Sequence, residues 1–167
     1  MKNKVKLAAA LFLGVAFLFV SCGGSSSGEG NEQSSATESS TTVATSVAVA
    51  DPEAKSESKG VGKFTSVEIG ELDAGMAEKG KAIFESKCAS CHKTTGEKLV
   101  GPGIKGITER RTPEWIMNMI TNPQEMTQQD PVAKALLEKH LIQMTFQNVS
   151  DDETRQVLEY FRQNGKL

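Results

Sequence analysis

The stretch Cys88-Ala89-Ser90-Cys91-His92 decides how this chain can fold, because it has the Cys-x-x-Cys-His spacing of a covalent haem attachment site. Cysteines three residues apart lie on one side of a helical turn, so both thiols can reach the porphyrin. Each thiol can add across one vinyl group and form a thioether bond. His92 can then bind the iron from one face. The stretch predicts one covalent haem c held by Cys88, Cys91 and His92.

Other uses of two nearby cysteines fit the sequence less well. A thioredoxin-type Cys-x-x-Cys would lie in a βαβ pattern, and none surrounds Cys88. A structural zinc ion needs four ligands. The chain offers Cys88, Cys91, His92 and His140, and His92 lies too close to Cys91 for easy chelation. A chance match is the third alternative, and the flanking residues argue against it.

Two flanking stretches extend the pattern. Gly80-Lys81-Ala82-Ile83-Phe84-Glu85 precedes the cysteines, and Gly101-Pro102-Gly103-Ile104 follows them. With the attachment motif they resemble the class I, monohaem c-type cytochrome family, over about residues 72 to 163. The resemblance implies an all-α cytochrome c fold of about four to five helices around one haem, with crossing N- and C-terminal helices. It also implies that Gly80 allows this crossing and that Phe84 packs near Tyr160.

The same resemblance assigns roles around the iron. The Pro102 carbonyl is expected to accept a hydrogen bond from His92, which would orient the imidazole. Ile104 stands where the family usually has Leu, and Trp115 can face the haem pocket. Arg110 and Arg111 precede the Trp115 helix; one of them could pair with a haem propionate, or both could remain solvated.

The second axial ligand is expected to be Met144. It precedes Phe146 and the last helix, where the family places its ligand, although the usual Pro after the Met is missing. His140, one helical turn earlier, and Met126, in a polar stretch read as a loop, are the alternatives. His/Met ligation would raise the reduction potential relative to His/His ligation.

Capping signals predict the helices. Asp73 begins a helix to about Lys87, and Thr112-Pro113 begins one that ends near Asn122. Asp130-Pro131 begins another, to about Leu141. Ser150 with Glu153 forms a capping box that opens the last helix, to about Gln163.

The N-terminal residues predict export. Residues 1–21 have a basic start and an apolar run too short to span a membrane, which indicates a signal peptide. Ser21-Cys22 resembles a bacterial lipobox, with Cys22 as the lipidated residue; ordinary cleavage or an uncleaved anchor are the alternatives. Residues 22–63 are predicted to be a disordered Ser/Thr/Gly/Glu-rich tether, and 64–167 the cytochrome c domain. Val67 and Ile69 alternate with polar residues and could form a short extended piece against that domain.

These features favour an electron carrier rather than an enzyme, because protein ligands on both faces leave the iron closed to substrate. A haem peroxidase-like or sensor domain with an open iron site is the alternative. The net charge of −2 does not favour nucleic acid. The resemblance implies a lipid-anchored periplasmic monomer. Its redox partners would be a quinol-oxidising complex and a terminal oxidase or periplasmic reductase, such as nitrous-oxide reductase.

Overall fold

The computed structural model describes residues 50–166, which form six α-helices and, within that range, no strand. In chain order the helices are α1 (Ala74–Lys87), α2 (Ile107–Arg110), α3 (Pro113–Thr121), α4 (Pro123–Gln129), α5 (Pro131–His140) and α6 (Asp151–Asn164). The all-α prediction is confirmed. The short helices α2 and α4 are additional to those that the capping signals indicated.

The four predicted helices begin at their capping residues. Asp73 accepts a hydrogen bond from the Met76 backbone N–H, Thr112 from that of Trp115, and Asp130 from that of Ala133. At α6, Ser150 and Glu153 form both bonds of the predicted capping box. Each cap supplies an acceptor to an N–H group that has no partner within its own helix, which is why these local signals locate helix starts well.

The crossing of α1 and α6 is the centre of the fold. Gly80 is buried at the crossing, and a Cβ atom there would collide with the Gln156 carbonyl of α6. Phe84 packs against Tyr160, with ring centroids 5.5 Å apart, and against Phe161 at 5.9 Å. The roles expected for Gly80 and Phe84 are therefore confirmed. The core continues from these rings to Trp115, Ile116 and Leu158.

The stretch around Met126 is helical and buried, so its interpretation as a polar loop was wrong. Met126 lies in α4 and is 0% exposed, and its sulfur is 2.9 Å from the Val61 backbone nitrogen. Most of α4 is polar, and its single buried Met gives no helical periodicity that a sequence pattern could reveal.

The segment before α1 is packed on the domain, which corrects the predicted tether boundary at residue 63. We call residues 50–67 the strap. Asn118 of α3 holds it at three points, bonding the Lys59 carbonyl, the Phe64 carbonyl and the Phe64 N–H at 2.9–3.0 Å. Gly60 has a φ of +70°, and a Cβ there would lie 2.5 Å from the Met126 sulfur. Val61, Phe64 and Val67 of the strap pack against the core, while side chains of the helices bind the strap's backbone.

The predicted signal peptide, Cys22 and the first part of the predicted tether lie outside the described residues. Within the described residues, no helix is both long enough and apolar enough to span a membrane.

Candidate haem site

The attachment motif forms a tight turn at the C-terminal end of α1. The backbone N–H groups of Cys91 and His92 both donate to the Cys88 carbonyl at 3.0 Å. Further along, the N–H groups of Val100 and Gly101 donate to the Cys91 carbonyl at 3.2 and 2.9 Å. The turn brings both cysteines beside His92, and the loop that follows folds back over the motif.

The loop orients the His92 ring. Nδ1 of His92 lies 2.8 Å from the Pro102 carbonyl oxygen, the contact expected from the sequence. This bond leaves Nε2 as the nitrogen that can bind a metal. Gly101 lies against the ring, since a Cβ there would be 2.5 Å from His92 Cε1. Only glycine allows this approach.

A cavity of about 620 Å³ opens beside the motif. All six helices and the strap contribute to its wall. The wall includes Cys88, Cys91 and His92 together with many apolar side chains, among them Ile104, Trp115, Ile116, Ile120, Leu136, Val157 and Phe161. This mixture suits a large flat apolar cofactor that has a few polar groups.

Ile104 and Trp115 are two side chains that the sequence predicts to contact the haem. Both line the cavity, and they are 8% and 3% exposed. The Trp115 Nε1–H donates to Asp130 Oδ1 at 3.0 Å, so the indole offers the cavity its apolar ring. Asp130 also caps α5, and it thereby fixes Trp115 to the start of that helix.

The structure distinguishes between the candidates for the second axial ligand. Met144 and His140 line the cavity, whereas Met126 does not, because its side chain is enclosed between α4 and the strap. Met144 lies in the non-helical segment between α5 and α6. Gln143 next to it is bonded to the Thr127 hydroxyl at 2.9 Å, which ties this segment to α4.

His140, the last residue of α5, has neither ring nitrogen hydrogen-bonded within the described residues. Burial, followed by the nearby positive charges of Lys98 and Lys139, lowers the pKa of His140 below its ordinary value. The lowered pKa favours the neutral imidazole, in which one ring nitrogen is a donor and the other an acceptor.

Residues 77–165, more than half of the chain, match the family described as Cytochrome c. The chain belongs to the cytochrome c family. A cytochrome c-553-like protein of Synechocystis sp. (strain ATCC 27184 / PCC 6803 / Kazusa) is 34% identical over 64 residues, which cover 31% of this chain and 61% of that protein. The chain thus matches less than two thirds of this relative's length.

Solved structures support the same family. A cytochrome c from Rhodothermus marinus has 37% sequence identity and a TM-score of 0.61, covering 63% of this chain and 90% of that one. An engineered cytochrome c from the same organism has 36% identity and a TM-score of 0.61, covering 64% and 92%. The cofactor of this cytochrome c domain is accordingly a covalently bound haem c, and Cys88 and Cys91 are present for it.

Sequence reasoning missed part of the cavity wall. Pro52 and Glu53 of the strap line it, although they belong to the stretch predicted as tether. Arg111 also lines it and is 4% exposed, so the interpretation of both arginines as solvated is wrong for Arg111. The adjacent arginines themselves were the only sequence signal for this part of the site.

Proposed function

We propose that this cytochrome c is a single-electron carrier with one six-coordinate haem, and not an enzyme in its own right. Cys88 and Cys91 form the two thioether bonds, and His92 Nε2 and the Met144 sulfur bind the iron. The observation that carries the proposal is the 2.8 Å contact between His92 Nδ1 and the Pro102 carbonyl. This contact prepares Nε2 as a ligand beside the attachment cysteines, at the wall of a cavity that also includes Met144.

The residues fit the haem by chemistry and by placement. The haem supplies one-electron chemistry at its iron, while the chain holds it, excludes water and sets its potential. The apolar wall would cover the porphyrin faces. With His92 and Met144 both holding it, the haem would have no open position for a substrate, and this arrangement would suit one-electron exchange.

Met144 is supported as the second ligand by its position between helices. The segment from 141 to 150 has no helical hydrogen-bond pattern, so the thioether can reach the iron without disrupting α5 or α6. A thioether ligand favours ferrous iron and raises the potential, which suits donation of electrons to a terminal acceptor.

Met144→Leu tests this proposal, because it keeps the apolar volume and removes the sulfur. We expect the haem to stay attached through denaturing electrophoresis, while the ferric spectrum loses its sulfur-to-iron band, the potential falls and the ferrous iron binds carbon monoxide. Met126→Leu and Met119→Leu are matched controls and should keep a closed iron. A closed iron in Met144→Leu would refute the ligand assignment, and carbon monoxide binding by the unsubstituted ferrous protein would refute the closed-iron carrier.

We also propose that the protein is a lipoprotein anchored through Cys22 to a bacterial envelope membrane and facing the periplasm. The basic and apolar signal of residues 1–21 and the Ser21-Cys22 junction support this. Several acyl chains on one residue give firm anchoring. Cys22→Ala should yield a cytochrome that no longer partitions into detergent, whereas an intact mass showing an unmodified N-terminal Cys22 would contradict lipidation.

The partners we propose are a quinol-oxidising complex as donor and a terminal oxidase or periplasmic reductase as acceptor. Their support is the family, together with lysines around the attachment motif. Lys98 and Lys105 line the cavity and are exposed, so they lie where an acidic partner would approach the haem.

A further inference from the structure

Asp130 is a buried acidic residue directly behind the wall of the haem cavity. It is 2% exposed, and two of the residues bonded to its side chain, Trp115 and Ala133, line the cavity. Its Oδ1 accepts hydrogen bonds from the Trp115 indole N–H at 3.0 Å and from the Ala133 backbone N–H at 2.8 Å. Its Oδ2 accepts one from the Ser58 hydroxyl at 2.6 Å. All three partners donate, so the side chain acts only as an acceptor, as an ionised carboxylate does.

Helix capping alone does not explain this environment. Asp73 has the same capping role at α1, where its side chain accepts from the Met76 backbone N–H at 2.9 Å. Asp73 is exposed, which is the ordinary situation of an aspartate that caps a helix. Asp130 is buried, its first oxygen is shared with an indole, and its second is bonded by the strap. A charged group in this position therefore has a further role.

The charge of Asp130 is satisfied by hydrogen bonds and not by a salt bridge. None of the ion pairs among residues 50–166 includes it. The cation Arg111 contacts the same indole, with its guanidinium 5.3 Å from the Trp115 ring centroid. Its charge is the same in every variant of Asp130, so a comparison of such variants isolates the aspartate. A buried charge is screened much less than a surface charge, and the field of Asp130 therefore extends into the cavity.

Trp115 is the residue through which Asp130 contacts the cavity. The bond to Oδ1 fixes the N–H edge of the indole, while the ring lines the cavity and is 3% exposed. Because Trp115 lies in α3 and Asp130 caps α5, the same bond joins two helices of the cavity wall. A buried indole whose polar edge is bonded in this way presents one defined apolar surface to a cofactor.

We propose that Asp130 is a positioning residue of the haem site, which holds Trp115 against the cofactor and, through its buried negative charge, lowers the reduction potential. Ferric haem carries one more positive charge than ferrous haem, so a fixed anion nearby favours the ferric form. The inference goes beyond the proposed carrier function. It needs the covalent haem, but neither Met144 as the second ligand nor any particular redox partner.

Asp130→Asn tests the charge, because it keeps the shape of the side chain. Asparagine caps helices as well as aspartate does, its oxygen can accept both bonds of Oδ1, and the Ser58 hydroxyl can accept from its amide. Spectroelectrochemical titration of the haem-loaded full-length protein at about pH 7 should show a reduction equilibrium constant raised roughly five- to fifteenfold. This is the effect of a unit charge taken as about 10–15 Å from the iron at an effective dielectric of about 20. Asp73→Asn removes the same charge from an exposed cap and should change the constant by less than about twofold.

Asp130→Ser tests the positioning role. Serine also caps helices, but its shorter side chain cannot reach both Trp115 and Ser58. Trp115 is the only tryptophan in the sequence, so its indole N–H gives a single proton–nitrogen signal in NMR spectra of the holoprotein. We expect this proton to exchange slowly with solvent in the wild type and in Asp130→Asn. In Asp130→Ser it should exchange about tenfold faster or more, because the hydrogen bond that protects it is lost.

The two roles of Asp130 can fail separately. A wild-type potential in Asp130→Asn would overturn the charge role, and slow indole exchange in Asp130→Ser would overturn the positioning role. If one variant does not retain haem, the other decides the potential, because both remove the same charge. Fast indole exchange in the wild type would itself refute the bond to Asp130. Carbon monoxide binding to the ferrous variants completes the test: a raised potential together with an opened iron would mean that Asp130 acts by holding α5 and the segment 141–150, which would overturn the charge role.

Discussion

His92, Gly101 and Pro102 show how single residues prepare a metal ligand before the metal arrives. The proline carbonyl contacts Nδ1 at 2.8 Å, and the glycine beside it allows the loop to lie against the ring. Pro102 has a carbonyl but no N–H, so it can only accept. The ring is fixed by one bond and one close contact, and its Nε2 remains available.

Gly101→Ala should disturb this arrangement. The new methyl group would lie 2.5 Å from His92 Cε1, so the loop or the ring must move. We expect a loss of about 1–3 kcal/mol in the free energy of unfolding of the holoprotein, with a raised potential because a less basic imidazole stabilises ferric iron less. Denaturant titration and spectroelectrochemistry measure both. Gly70→Ala, where no atom lies within 4 Å, is the control; equal effects of the two substitutions would contradict the explanation.

Helices α1 and α6 show what a whole element contributes. Both are 14 residues long and begin at capping residues that can be recognised in the sequence. An isolated helix of this length is at best marginally stable in water. Their crossing buries Gly80, Phe84, Val157 and Leu158 and places the attachment motif at the C-terminal end of α1. The crossing therefore positions the cysteines.

Two alanine substitutions within α1 should have opposite effects. Gly80→Ala would drive a methyl group into the α6 backbone at Gln156, so we expect a loss of about 2 kcal/mol or more. Gly75→Ala meets only Asp73 Oδ1 at 3.4 Å, and alanine is favoured over glycine in a helix by up to about 1 kcal/mol. Thermal and denaturant unfolding of the holoproteins measure the difference. A Gly80→Ala variant as stable as Gly75→Ala would contradict the close crossing.

Charge is distributed unevenly over the whole molecule. From Lys79 to Arg111 basic residues outnumber acidic ones, and from Thr112 onward the balance reverses. Not every lysine of the basic half is available for docking. Lys87 is paired with Glu153 at 3.3 Å and Lys93 with Glu97 at 2.9 Å. Lys98 and Lys105 lie at the cavity and take part in no ion pair among the described residues, so they are the better candidates.

Reversing the two cavity lysines should slow electron exchange with an acidic redox partner. We expect Lys98→Glu/Lys105→Glu to lower the second-order rate by about tenfold or more at low salt, with a smaller effect at high salt because screening already weakens steering. Stopped-flow kinetics at several ionic strengths measures this. Lys134→Glu/Lys166→Glu makes the same change of net charge away from the cavity and should have little effect. Equal slowing by both pairs would place docking elsewhere.

The sequence by itself determined the cofactor, the starts of α1, α3, α5 and α6, and the attachment geometry, because these depend on residues close together in the chain. Cys88, Cys91 and His92 lie within five positions, and the caps of α1, α3, α5 and α6 each bond an N–H three residues later. Haem attachment and helix capping both depend on residues a few positions apart, so a sequence pattern is enough to predict them. The resemblance to cytochromes c predicted the roles of Gly80, Phe84 and Pro102, because these residues lie at characteristic distances in sequence from the attachment motif.

Only the tertiary structure decided that the strap is part of the domain, that Met126 is enclosed and that Arg111 lies at the haem cavity. The strap is Ser-, Glu- and Lys-rich, and its own composition predicts a tether. It is ordered because side chains 54 to 72 positions later, those of Asn118, Thr112 and Asp130, bond its backbone and Ser58. A polar segment becomes ordered only if other parts of the fold supply hydrogen-bond donors and acceptors to its backbone. Because those groups are distant in the sequence, the pattern of the segment itself cannot predict its order.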